Sequence, residues 1–94
     1  MRTLQWSSRY KRSVKRLIKQ RPPYQEKILD VMRTLQENPF EQSLHTHKLK
    51  GEFEGIWACS AGYDLRIMFE FVKRPQSNEE EILLIDIGTH DEVY

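Results

Sequence analysis

The chain has one cysteine, four glycines and four prolines in 94 residues, and it contains no long apolar run. A single thiol, Cys59, cannot close an internal disulfide, and a reducing cytoplasm fits that usage best. No stretch approaches the ~20 apolar residues needed to cross a bilayer. Met1 to Trp6 also lack the apolar core of a signal peptide. A membrane partner is therefore not expected. Acids are missing from residues 1–21, which hold eight bases: Arg2, Arg9, Lys11, Arg12, Lys15, Arg16, Lys19 and Arg21. Residues 70–94 reverse the balance, with seven acids against Lys73 and Arg74. A basic face of this kind can follow a phosphate backbone, although a solvated helix face has the same composition. The net charge of +1 argues against strong nonspecific binding to nucleic acid. What is present is enough for one small globular domain over residues 1–94: 38% hydrophobic and 11% aromatic, without repeats or a linker.

Polar Thr3, Gln5 and Ser7 alternate with Leu4 and Trp6, which predicts a short first strand. Ser7 or Ser8 can cap a following helix. Within it Tyr10, Val14, Leu17 and Ile18 form one apolar stripe, with the bases around it. Arg21-Pro22-Pro23 ends that helix, and Pro23 suits the first turn of the next. Tyr24, Ile28, Val31, Met32 and Leu35 repeat the spacing until Asn38-Pro39. Residues 39–55 lack a sustained period and read as a loop with room for a short helical turn. Ile56 to Cys59 is a candidate strand, Ser60-Ala61-Gly62 a turn, and Leu65 to Phe71 a half-buried strand. Lys73 to Glu79 reads as a hairpin loop. Glu81 to Ile87 is apolar enough for a central strand that runs into Gly88. The fold class is α+β, in the order β-α-α-β-β-β, with a helical hairpin packed on an antiparallel sheet.

Several residues could carry chemistry. His90 follows the last strand, where its backbone is fixed and its ring accessible. Imidazole is the side chain that can give or take a proton near neutral pH. His45-Thr46-His47-Lys48-Leu49-Lys50-Gly51 sets two imidazoles and two ammonium groups ahead of a glycine. Zinc would need three or four ligands, which only His90, Cys59 and scattered acids could complete, so no metal is expected. Arg66 offers a planar fork of donors suited to phosphate, and an ion pair with Asp64 or Glu70 would use the same fork. Asp64 could be that partner or could orient a histidine. Tyr94 could stack on a base or donate a phenolic proton. Cys59, in mid-strand without a basic neighbour in sequence, reads as core rather than nucleophile.

Three blocks, in this order and separation, resemble the RelE/ParE toxin superfamily and within it the YafQ-like mRNA interferases. They are His47-Lys48-Leu49-Lys50-Gly51 followed by Gly55-Ile56-Trp57, then Gly62-Tyr63-Asp64-Leu65-Arg66-Ile67-Met68-Phe69, then Gly88-Thr89-His90-Asp91-Glu92-Val93-Tyr94. The resemblance spans essentially the whole chain. It implies a cytoplasmic toxin, neutralised by a cognate antitoxin, that cuts mRNA in the ribosomal A site as an endoribonuclease. The family motif carries over at His47, Asp64, His90 and Tyr94. Because the RNA supplies its own 2′-OH nucleophile, neither metal nor cofactor is required. On this reading His90 is the general acid and His47 or Asp64 takes the 2′ proton. Arg66, with Lys48 or Lys50, meets the phosphate, Tyr94 packs on a base, and Arg12 and Lys15 follow the RNA. Two departures thin the donor set: Ser60 stands where YafQ-like sequences have a histidine, and Ile56 to Cys59 has no lysine. Two other readings stay open. A ParE-like gyrase inhibitor would need no proton-transfer histidine, and an inactive antitoxin-binding homologue is compatible with Ser60.

Overall fold

The computed structural model describes residues 2–51, 54–62, 64–73, 75 and 80–89. Strand β1 (Leu4–Trp6) leads into helix α1 (Ser8–Gln20), and α2 (Tyr24–Glu37) returns antiparallel to it. Ser7 sets the start of α1 as expected: its hydroxyl accepts from the Tyr10 N–H at 3.0 Å and donates to the Ile85 carbonyl at 2.8 Å. One side chain thus caps the helix and fastens it to the sheet. A short 3₁₀ turn (Gln42–Leu44) follows, then β2 (His47–Lys48), β3 (Trp57–Ala61), β4 (Leu65–Lys73) and β5 (Glu80–Thr89).

The sheet runs β1-β5-β4-β3-β2. The three long strands form the expected antiparallel meander, but β1 joins β5 in parallel, so the sheet is mixed rather than antiparallel. The helical hairpin carries the chain from β1 at one edge to β2 at the other, and the strands then return across the sheet until β5 lies parallel to β1. A fifth strand, β2, lies within the stretch read as loop, because two residues carry no period to detect. The expected turn at Ser60-Ala61-Gly62 begins later: Ser60 and Ala61 pair with Arg66 and Leu65, and only Gly62, at φ +86°, leaves the strand. β5 also continues through Gly88 and Thr89, opposite Arg66 and Leu65, so Gly88 does not end it. As expected for a near-uniform apolar strand, β5 lies inside the sheet, between β1 and β4.

Helix residues Tyr10, Val14, Leu17, Ile28, Met32 and Leu35 pack on Cys59, Ala61, Leu65, Ile67, Phe69, Ile82, Leu84 and Ile87. Each large side chain buried here contributes roughly 1.5–3 kcal/mol. Between Met68 and Phe69 the β4–β5 register slips by one residue, leaving Ile85 as the extra residue of a bulge. Just beyond it Asp86 accepts from Ser13 at 2.6 Å and pairs with Arg9 at 3.1 Å. The bulge therefore docks α1 onto β5.

Candidate active site on the face of the sheet away from the helices

Strand alternation decides which side chains meet. Cys59, Ala61, Leu65, Ile67 and Phe69 face the helices, so Ala58, Ser60, Arg66 and Met68 face the other way. His47 is the cross-strand partner of Ala58, and Arg66 is partnered by Ser60 on one side and Gly88 on the other. His47, Ser60 and Arg66 therefore share the face away from the helices. Ala58 (0% exposed) and Met68 (6%) form a buried floor between them. Strand geometry separates the His47 and Arg66 backbones by about 12 Å, two strands across and two residues along. Long side chains can address a single phosphodiester from both sides of that gap.

The His47 ring is held in a defined sense. Its Nδ1 lies 2.9 Å from the His45 carbonyl oxygen. A carbonyl can only accept, so in the neutral ring Nδ1 carries the proton and Nε2 is the basic nitrogen. His45 itself adopts a left-handed conformation (φ 51°) at the end of the 3₁₀ turn, which aims its carbonyl back at the ring.

The other expected site residues are dispersed. Asp64 lies in the turn before β4, where it accepts from the Tyr24 hydroxyl at 2.5 Å and lies 4.0 Å from Arg21. Arg66 is half-buried and donates to the Leu65 carbonyl at 2.9 Å. Lys48 alternates with His47 onto the opposite side of β2, its ammonium 5.4 Å from the Trp57 ring centroid. Lys50 is exposed ahead of Gly51. Arg12 and Lys15 are exposed on α1, which packs along β5, and are not brought to His47 on β2 at the far side of the sheet. His90 and Tyr94 lie outside the described residues.

Cys59 is core, as expected. Burial pushes its thiol up to about 12, with Arg66 pulling partly back, so it holds its proton at neutral pH. Among the described residues no three His, Cys, Asp or Glu side chains gather as metal ligands would.

The face turns a corner at the free edge of β3. There Lys27, Ser43, His45, Ser60, Gly62 and Arg66 line an open cleft of about 370 Å³. Lys27 and Ser43 were not legible as site residues. Lys27 sits beside the apolar stripe of α2 and belongs to no motif. The available signal was Gly62: a Cβ there would fall 2.7 Å from both Cδ and Nζ of Lys27, so the glycine seats the lysine stem.

A family model described as "Bacterial toxin of type II toxin-antitoxin system, YafQ" matches residues 2–94. Among solved structures, YafQ from E. coli superposes with a TM-score of 0.78 at 18% identity, covering 100% of this chain and 99% of that one. The E. coli DinJ–YafQ toxin–antitoxin complex gives 0.76 at 20% identity, covering 99% and 97%. A YoeB/ParE toxin from Agrobacterium tumefaciens gives 0.76 at 20% identity, covering 94% and 98%. At such identities the likeness is one of fold. A search of curated protein sequences finds no match.

Proposed function

We propose a function that proceeds from family: the chain belongs to the YafQ family of bacterial toxins, and it is the toxin component of a type II toxin–antitoxin pair. Its target in this reading is mRNA in the ribosomal A site, cut without a metal by attack of a ribose 2′-OH on the adjacent phosphodiester. The observation that carries the reading is the shared face of His47, Ser60 and Arg66, with the His47 tautomer held by the His45 carbonyl.

His47 Nε2 takes the 2′ proton as the 2′ oxygen bonds to phosphorus. The P–O5′ bond breaks and His90 protonates the leaving 5′ oxygen, giving a 2′,3′-cyclic phosphate and a 5′-OH. Arg66 meets the charge that builds on the nonbridging oxygens, and Lys50 adds to the field. Lys48 is a weaker candidate for that role, since its ammonium is engaged with Trp57. Tyr94 packs on a base. Asp64, held by Tyr24 and Arg21, serves as an anchor of the β3–β4 turn, and is the alternative base if His47 is dispensable. Arg12 and Lys15 meet RNA or ribosome beyond the cleaved bond. A cognate antitoxin neutralises the protein, as DinJ accompanies YafQ in the related complex. The setting is the cytoplasm; among the described residues no helix is long and apolar enough to cross a membrane.

Primer extension on a defined mRNA in translating ribosomes tests this, with wild-type protein beside His47→Ala and His90→Ala. Wild-type cuts within A-site codons, lost in the variants, are expected. Folded wild-type protein that leaves the message intact would overturn the reading and make gyrase supercoiling the next assay.

A further inference from the structure

We propose that the cleft at the free edge of β3 is a phosphate subsite that holds the RNA backbone one linkage away from the attacked bond, with Lys27 as its principal binding residue. The inference rests on the RNA-cleaving reading for the source of the phosphate.

The donors converge from three elements. Lys27 comes from α2, Ser43 and His45 from the 3₁₀ turn and its cap, and Ser60 and Arg66 from β3 and β4. The Ser43 hydroxyl and N–H already donate to the Glu41 carboxylate, so binding falls to Lys27, Ser60 and Arg66. Among the described residues no acid lines this cleft. Acids close by are engaged: Glu41 accepts from Ser43; Asp30, in the adjoining groove, lies 3.5 Å from Arg33; and Asp64 is held by Tyr24 and Arg21. A tetrahedral phosphate offers acceptors in several directions, which suits donors on several walls better than a planar carboxylate would.

The backbone adds to the cradle. Leu49 N–H donates to the Ile56 carbonyl at 2.9 Å, and His47 pairs with Ala58. The residues of β3 whose N–H and C=O point toward β2 are therefore 56 and 58, and the next in that series is Ser60. Strand β2 does not extend far enough to meet it. The Ser60 amide thus faces the cleft, as an edge-strand amide open to a ligand oxygen. The subsite also abuts the reacting face. Arg66 is a wall of the cleft, and His45, which also lines it, positions His47 through its carbonyl.

The test reads binding and turnover separately. Amide spectra of the ¹⁵N-labelled protein are titrated at fixed chloride with inorganic phosphate, and in parallel with an all-deoxy trinucleotide that cannot be cleaved. The trinucleotide should move the Lys27, Ser60 and Gly62 amides saturably. Lys27→Gln should weaken its binding about tenfold while the rest of the spectrum stays folded. In ribosomal cleavage the same variant should raise KM by about five- to twentyfold with kcat within a factor of two, the signature of lost uniform binding. Saturation by inorganic phosphate but not by the trinucleotide would overturn the proposal in favour of a free-anion site. Linear shifts with both, or equal affinity in Lys27→Gln, would overturn it outright, even if wild-type protein cleaves mRNA. Saturable trinucleotide binding by a protein that cleaves nothing would keep the subsite and remove the cleavage reading.

Discussion

The Tyr24 hydroxyl donates to Asp64 across 2.5 Å, tying the first turn of α2 to the turn that opens β4. Forty residues separate the two, so this bond fixes the reacting face relative to the helical layer. Both groups are partly solvated, which limits the bond's contribution. Tyr24→Phe and Asp64→Ala should each lower unfolding stability by about 0.5–1.5 kcal/mol. The double variant should cost little more than either single change, because the two act through one contact. Urea melts check this. Cleavage adds a second readout: an anchor predicts similar modest losses in both variants. A loss of about 10²-fold or more in Asp64→Ala alone would make the carboxylate the base.

For His47, alanine substitution should lower single-turnover cleavage by about 10²–10⁴-fold, the usual range for a lost general base. The ring is exposed on an edge strand of two residues, so stability should change by less than about 0.5 kcal/mol. Rapid-quench cleavage beside a thermal melt separates the effects. A rate within a few fold of wild type would move the proton to Asp64.

Tyr10 and Cys59 give the fold an alkaline limit. Burial pushes the Cys59 thiol up to about 12 from its ordinary 9.0, and raises the Tyr10 phenol above its ordinary 10.0. The unfolded chain releases these protons at ordinary values while the folded chain keeps them. Above pH 9 the unfolded state therefore binds fewer protons, and stability falls as pH rises. Below pH 9 the contribution is complete. Each fully coupled group gives a slope approaching about 1.4 kcal/mol per pH unit. Urea midpoints between pH 7 and 11 should decline from pH 9. Cys59→Ala should flatten the first part of that decline, and Tyr10→Phe the part above pH 10. A midpoint constant to pH 11 would contradict the burial of both groups.

Tyr10→Phe has a second expected effect. Among the described residues the Tyr10 hydroxyl has no hydrogen-bond partner, although the side chain is fully buried. Its removal relieves a desolvated polar group, so at pH 7 the variant should match wild type or exceed it by up to about 1 kcal/mol. A loss above 1 kcal/mol in a urea melt would mean the hydroxyl is satisfied in solution.

Where a segment was long and periodic, the sequence was easily read. The stripes of α1 and α2, the Ser7 cap and the apolar run of β5 each follow from one local rule applied over many residues or one defined position. β2 escaped because two residues have no period, and the parallel β1–β5 pair because pairing direction is a property of the whole chain path. The site divides in the same way. His47, Asp64 and Arg66 sit in motifs and drew attention as chemistry. Lys27 has an ordinary helical context and becomes a cleft wall only when α2 crosses the free edge of β3 beside Gly62.

Gly62 holds two demands that can be separated by experiment. Its φ of +86° is strained for any residue with a Cβ, and that Cβ would meet Lys27. The backbone cost of such a conformation is about 1–2 kcal/mol. The steric cost is smaller, because the lysine end is flexible and can move away. Gly62→Ala should therefore destabilise by about 1–2 kcal/mol in urea melts, and by nearly the same amount in a Lys27→Ala background, since backbone strain is common to both. Ribosomal cleavage should not follow the melt. In the wild-type background Gly62→Ala displaces the ammonium and should raise KM about as Lys27→Gln does. In the Lys27→Ala background it has no ammonium to displace and should leave KM where Lys27→Ala already put it. A KM effect of Gly62→Ala that persists without Lys27 would mean that the turn itself, not the lysine it seats, shapes substrate binding.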